Sequence, residues 1–471
     1  MKRYLLSCVS IILIISTLFL SSCYKETEIP PITETQKNEQ PEANLYQEKI
    51  SALADGDFEG TQFRVATDSS SLFIPKNQTG VVGKEQYFRN KAVEEKYNVK
   101  ITLTDESGMP TIAERIRSEA LAGADYCDMV LLESTGFKTL VASEALLNVR
   151  SIPYLNLGAS YYHENALTST NFGNFTYGIS GDFNYDPSNA YVVFYNKDLL
   201  AKTALPSLHQ LALDNQWDFE NFLIYSEEVS TVCKAESNNV FGFASTHDQQ
   251  TLVNAFWAAS GLNFLSNPYG EKPQLIYNND SLNNFITQTQ NILFRSPSYL
   301  KDNSLALQSF KNQQCFSMIA PLKYAEEITG HGLNWGVVPL PKLDINQKEY
   351  FSYLDSKQTY VGFSKGTQNT ALSGMVTEAL FCASDGLSEL LTIKTYLNLY
   401  LNSSDDAVQI RSAISKPYYD AAEFFSLDGS PYAASTQILL YRVMSSEGDL
   451  ESLYNQYLKM FQKYVDGKIK T

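Results

Sequence analysis

The sequence predicts an α/β protein of more than one domain, and three observations carry that expectation. A strand–helix–strand pattern opens the globular part of the chain. A second apolar stretch, Cys127-Asp128-Met129-Val130-Leu131-Leu132, has the make-up of a strand buried in a parallel sheet. About 415 residues follow the amino-terminal region, more than one ordinary core organises and enough for two or three.

The chain begins with Lys2 and Arg3, continues through an apolar stretch over 5–20 broken by Ser7, Ser10, Ser16 and Thr17, and reaches Leu20-Ser21-Ser22-Cys23. A basic end, a short apolar core and a small-residue exit predict a secretion signal over 1–22. The apolar core is shorter than the roughly 20 residues that span a bilayer. Leu20 and the two serines before Cys23 resemble the lipobox of bacterial lipoproteins, which implies lipidation of Cys23. Each buried acyl methylene contributes about 0.8 kcal/mol, so two chains hold a domain at a membrane surface. Residues 23–57 carry Pro30, Pro31 and Pro41 among Glu, Thr, Gln and Asn, and read as a flexible tether.

Beyond the tether, 62–67 alternates and ends in polar Asp68-Ser69-Ser70-Ser71, as a first strand entering a loop does. Phe88, Ala92, Val93 and Tyr97 recur at helical spacing over 85–97, and 99–103 reads as the next strand. Residues 112–122 predict a second amphipathic helix. The strand at 127–132 leads into a loop, Glu133-Ser134-Thr135, with a helix over 137–143. A polar loop at 183–189 precedes Tyr191-Val192-Val193-Phe194-Tyr195-Asn196, a strand that turns into a helix at Lys197. In open α/β sheets ligands collect beyond the carboxyl ends of strands, so the loops after Thr67 and Leu132 are the first candidate site.

Without Lys2 and Arg3 the chain keeps 34 basic against 52 acidic side chains, a net charge of −18, which repels nucleic acid. Cys127, Cys233, Cys315 and Cys382 lie far apart and form no CxxC pair; they read as small buried hydrophobes, with one or two disulfides as the alternative. His163, His209, His247 and His331 stand outside metal-ligand spacing of one another and of any cysteine. Neither a metal site nor a cofactor is predicted. Gly83-Lys84 lacks the upstream glycine of a phosphate loop, and Gly178-Ile179-Ser180-Gly181 has the wrong spacing for a nucleophile elbow.

Several segments recur in order along a known family. Residues 191–200 contain the string YNKDLL; Asp128-Met129-Val130 resembles a D-V-V strand, Trp217-Asp218 a TWDE helix start and Phe241-Gly242-Phe243 a YGF strand. Trp257 and Gly261 resemble a W…GG helix end, Phe316-Ser317-Met318-Ile319 an AAM strand, and Trp335-Gly336-Val337-Val338-Pro339-Leu340-Pro341 a WGVAPLP segment. Over 58–471 the chain thereby resembles the family 1 extracellular solute-binding proteins. It departs at Gln216, where the family has Thr, at the single Gly261, and in the loop 182–189.

The resemblance implies a type II periplasmic-binding-protein-like fold: two α/β lobes joined by crossover strands, with a ligand cleft between them. The amino-terminal lobe is expected over 58–188 and 353–401, and the carboxy-terminal lobe over 189–352 and 402–471. A monomeric receptor, not an enzyme, is implied, facing outward from the cell membrane and passing a small ligand to the permease subunits of an ABC importer. A carbohydrate is the expected ligand, because aromatic faces cover its C–H surface while carboxylates and amides pair with its hydroxyls. Rough alignment places Tyr324 and Tyr432 near stacking positions of sugar-binding members. Thr67, Asp68, Glu133 and Ser134 belong to cleft loops of the first lobe, Asp182 and Asn184 to the polar loop, and Asn189 and Tyr191 to the crossover. Trp257 is a candidate for stacking or for core packing. Within the same fold the alternatives are a peptide, a polyamine or a metal ion. Outside it, a glycan hydrolase would need two carboxylates about 5 to 10 Å apart, and an adhesin would show internal repeats, of which the sequence has none.

Overall fold

The computed structural model describes residues 43–72, 80–104, 111–236, 239–276, 279–400 and 404–424, with further helical residues scattered between 440 and 466. In chain order its strands are β1 (Thr61–Thr67), β2 (Val99–Leu103), β3 (Met129–Glu133), β4 (Asn171–Phe172), β5 (Phe175–Thr176), β6 (Tyr191–Asn196), β7 (Phe241–Ser245), β8 (Leu265–Ser266), β9 (Gln274–Leu275), β10 (Tyr299–Leu300), β11 (Cys315–Pro321), β12 (Trp335–Pro339) and β13 (Thr359–Gly362).

Two larger sheets organise these strands, ordered β13-β3-β1-β2 and β10-β7-β11-β6-β12. In the first, β1 runs parallel to β2 and β3, while β13 returns antiparallel to β3 with Val361 opposite Leu131. In the second, β7, β10 and β11 are parallel, and β6 lies antiparallel between β11 and β12. The side-chain period of two explains why each sheet can be covered on both faces. Met129 and Leu131 of β3 enter one core with Phe63, Val65 and Val361, while Val130 and Leu132 enter another. Along β6, Tyr191, Val193 and Tyr195 join that second core, and Val192 and Phe194 a third beside Met318 and Val337. All six residues of β6 are buried, which fits a central strand.

The architecture is a two-lobed α/β fold. The chain builds most of the first sheet before β4, all of the second between β6 and β12, and then returns with β13. Helix Thr370–Ala383 packs on helices Gly80–Tyr97 and Ala43–Ile50 of the first lobe, and helix Ser404–Ile414 packs on β12 of the second.

Three local expectations are corrected. Residues 43–50, expected inside the tether, form a helix because Tyr46 and Ile50, four residues apart, share one face and enter the first-lobe core, each 1% exposed. Helix Gly80–Tyr97 starts five residues before the expected Glu85. The expected loop 133–135 is instead the end of β3 followed at once by helix Ser134–Ala142: Ser134 is buried, and its backbone N–H donates to Gln358 O at 2.7 Å.

The small hairpin β8–β9 reaches from the second lobe to the first. The Asn267 side-chain amide donates to Thr168 O at 2.8 Å, Asn171 O at 2.9 Å and Ser169 O at 3.3 Å. Gly270 N–H donates to Gly173 O at 2.9 Å, and the Arg150 guanidinium lies 4.0 Å from the centre of the Tyr269 ring. Cys127, Cys233, Cys315 and Cys382 are free thiols, the first three buried. Among the described residues no helix is long and apolar enough to cross a membrane.

Candidate ligand-binding site

Thr67, Glu133, Ser245 and Pro321 end β1, β3, β7 and β11, and the antiparallel strands β6 and β13 begin at those same edges, Tyr191 opposite Pro321 and Thr359 opposite Glu133. Segment 353–358 touches both edges. On one side Tyr353 O accepts from Tyr191 N–H at 2.9 Å; on the other, Lys357 Nζ lies 2.8 and 3.1 Å from the Glu133 carboxylate oxygens, and Gln358 O receives the Ser134 N–H.

The second-lobe side is built on an aromatic floor. Tyr191 is 2% exposed and packs its ring 5.1 Å from His247 and 5.2 Å from Tyr353. Above it, His247 and Tyr324 are half-buried, and Asp248, Asp355 and Lys323 are exposed. Burial raises the Tyr191 phenol well above its ordinary value, and the negative Asp355 and Asp248 push the same way. Burial also pulls His247 down, against the opposing pull of Asp355 and Asp248. His247 Nδ1 is engaged by Thr246 Oγ1 at 2.9 Å, which leaves Nε2 for other contacts. Asp355 takes a positive φ of 53°, a conformation uncommon outside glycine, and its carboxylate accepts from Tyr353 Oη at 3.0 Å.

The remaining candidates divide into residues near the strand ends and residues held by structural contacts elsewhere. Asp68 Oδ1 accepts from Glu133 N–H at 2.9 Å and from Ser69 Oγ at 3.0 Å, so it braces the end of β3 while keeping an exposed edge. Burial outweighs these bonds and raises its pKa, with the nearby Glu133 charge adding to the rise. Thr67 is buried and its Oγ1 receives Ser69 N–H. Asn189 is half-buried and accepts from Lys323 Nζ at 3.0 Å, which ties the first crossover to the helix start carrying Tyr324.

Asn184 is 2% exposed and spends its amide on Thr359 O and Oγ1, each at 2.9 Å, while its oxygen accepts Gly181 N–H; it pins the polar loop to β13. Asp182 receives Gly386 N–H at 2.5 Å and the Ser388 hydroxyl at 3.2 Å, with His163 Nε2 at 3.6 Å. Trp257 is 3% exposed, stacked on Phe264 at 4.8 Å and edge-on to Phe285 at 5.2 Å, and its indole N–H donates to Asp420 at 3.3 Å. Its ring is a core element. Cys23 and Tyr432 lie outside the described residues.

Sequence reading missed His247, Asp248, Lys323, Tyr353, Asp355 and Lys357 as site residues. It also missed Asn254, whose buried Oδ1 finds no partner among the described residues and lines a space of about 20 Å³ shared with Trp257, Asp355 and Gln358. That is room for one water or one ligand hydroxyl. Among the described residues no group of three or more His, Cys, Asp or Glu side chains is placed to hold a metal ion.

A family model for bacterial extracellular solute-binding proteins matches residues 80–378, well over half of the chain. The chain belongs to this family. Comparison with curated proteins gives no match. Among solved structures, this solute-binding protein is similar to the GacH receptor of Streptomyces glaucescens GLA.O, described without ligand and with acarbose and an acarbose homolog. The two share 13% identity at a TM-score of 0.48 over 88% of this chain and 99% of the other. In the solute-binding protein, the half-buried His247 and Tyr324 rings stand beside the exposed Asp248, Asp355 and Lys323 at this edge of the second sheet.

Proposed function

We propose that this solute-binding protein is a lipid-anchored receptor that captures a mono- or oligosaccharide between its lobes and delivers it to the permease of an ABC importer. The observation that carries the reading is the pair of half-buried rings, His247 and Tyr324, with the exposed Asp248, Asp355 and Lys323 around them, backed by the buried Tyr191 and Tyr353 where segment 353–358 meets both sheet edges. Aromatic surface suits the C–H face of a pyranose, and the surrounding acceptors and donors replace the water its hydroxyls lose. Anchoring rests on the Leu20-Ser21-Ser22-Cys23 string, and delivery to a permease rests on family membership.

The test is a thermal-shift and calorimetric screen of the mature protein against mono- and oligosaccharides, peptides, polyamines and metal ions, followed by long incubation with any sugar that binds. A ligand present at a hundred times its dissociation constant adds about 2.7 kcal/mol to the native state. A shift with one sugar class and no turnover is the expected result. Cleavage of the sugar would replace the receptor with a hydrolase, and a response confined to peptides, polyamines or metal ions would replace the sugar. Loss of membrane association on Cys23→Ser is expected for the anchor.

A further inference from the structure

A second pocket shares no lining residue with the spaces around Trp257 and Tyr418. It measures about 310 Å³ and lies between helix Gly80–Tyr97, helix Leu387–Leu399 and the first crossover. Arg89 forms part of its wall. This side chain is 2% exposed, stacks its guanidinium 4.8 Å from the centre of the Phe183 ring, and has no carboxylate within ion-pair distance among the described residues. Its Nε and Nη2 donate to Asn90 Oδ1 at 3.1 and 2.9 Å, and Nη2 also to Leu72 O at 3.3 Å. Of the two Nη1 protons, one meets an acceptor, Ser384 Oγ at the outer limit of 3.5 Å, and the other meets none among the described residues.

A buried charge is ordinarily paired, because leaving it without a counter-charge in a poorly solvated site costs free energy. Burial without a neighbouring anion pulls the Arg89 guanidinium down to about 10. The same pocket carries two carboxylates. Asp182 is held by Gly386 N–H and the Ser388 hydroxyl, and Asp186 receives Ser188 N–H and the Asn189 amide. Neither has a Lys or Arg partner within ion-pair distance among the described residues; His163 is Asp182's one basic neighbour. The wall thus offers one planar cation short of an anion and carboxylates short of a cation.

We propose that this pocket is a second binding site, separate from the aromatic floor, for a small zwitterion of the α-amino acid kind. Its carboxylate takes the unused Nη1 proton of Arg89 and supplies the counter-charge that the guanidinium lacks. Its ammonium faces Asp182 and Asp186. Hydroxyls of Ser71, Thr392 and Thr395 surround the ligand's remaining polar atoms.

Calorimetric titration of the mature protein with each of the twenty L-amino acids, and with acetate and ethylamine as the two halves of the ligand, tests this directly. At least one amino acid is expected to bind at least tenfold more tightly than either half. Arg89→Gln is expected to weaken it at least tenfold. Because a buried arginine is hard to replace without harming the fold, Thr395→Trp, which fills the pocket from a half-exposed helical position, is the second variant and is expected to weaken binding as strongly. Three results would each overturn the proposal: no amino acid binding to the wild type, acetate binding as tightly as the amino acid, or binding that survives Thr395→Trp. None of these probes is a sugar, so each result leaves the reading of the aromatic floor where it stands.

Discussion

Lys357 Nζ lies 2.8 and 3.1 Å from the two carboxylate oxygens of Glu133, joining the end of β3 to the segment that carries Asp355 and Tyr353. Both partners are partly solvated, at 50% and 30% exposure, so the pair contributes little to global stability. Its position between the lobes gives it a second role. Lys357→Ala is expected to change the unfolding free energy by less than about 1 kcal/mol and to weaken ligand binding about fivefold, read by calorimetry beside a urea melt. A large loss of stability with unchanged affinity would reverse that assignment.

Asp68 supplies a pH-dependent test. Burial holds its pKa above the ordinary 3.8, so the stability it contributes is fully present below the unfolded value and is lost as pH rises through the folded one. At neutral pH its charge therefore opposes folding. Asp68→Asn retains an oxygen to accept Glu133 N–H and the Ser69 hydroxyl. The variant is expected to melt above wild type at pH 7, with the gap closing near pH 3, by calorimetry at matched ionic strength. A gap that widens on acidification would contradict the direction of the shift.

Asp406 sits in the first turn of helix Ser404–Ile414, 2% exposed, with His209 Nε2 at 2.9 Å and Lys197 Nζ at 3.4 Å. Removing Asp406 leaves the buried edge of His209 and the partly exposed Lys197 ammonium without their carboxylate. Asp406→Ala is expected to cost about 3 kcal/mol or more in urea unfolding, whereas Asp385→Ala, at an exposed turn, is expected to cost under about 0.5 kcal/mol. Equal costs for both would mean that the buried cluster is not what holds this helix on β12.

The Asn267 amide gives three hydrogen bonds to first-lobe carbonyls. Asn267→Asp turns that donor into a carboxylate facing the same carbonyls, and Asn267→Ala deletes it. Both are expected to enlarge the ligand-free radius of gyration in small-angle scattering, the aspartate more than the alanine. Identical scattering for all three proteins would remove the hairpin from any part in lobe closure.

The framework was legible where burial dictates residue type over several consecutive positions. β3 and β6 announce themselves because both faces of each strand are covered and nearly every residue is apolar. Helix Ala43–Ile50 was hidden because Tyr46 and Ile50 are two apolar anchors in an otherwise polar segment, and their burial depends on helices that arrive later in the chain. The helix beginning at Ser134 was read as a loop because Glu133-Ser134-Thr135 is polar, while the bond that fixes its start comes from Gln358.

The strand ends that carry the candidate site were legible, and the residues that assemble there were not. Asp68, Glu133 and Tyr191 could be placed from strand ends alone. His247, Lys323 and Asp355 come from three distant segments, and no spacing rule links them. The best signal for His247 was its place two residues after β7, a strand end like those of β1 and β3. For Trp257 the structure takes core packing, one of the two roles its sequence context allowed, and Asn184, expected at the ligand, pins the polar loop to β13.

The hairpin spanning the lobes also bears on how quickly a solute can be taken up. A hinge alone leaves the empty cleft free to open, and capture then speeds up in proportion to solute concentration. Any separation of the lobes that parts the hairpin from 168–173 and Arg150 has to release the contacts of Asn267, Gly270 and Tyr269 first. At high solute concentration the observed rate of capture should therefore level off at the rate of that release, so that uptake under plenty is paced by the receptor's own unlatching and not by how often solute arrives.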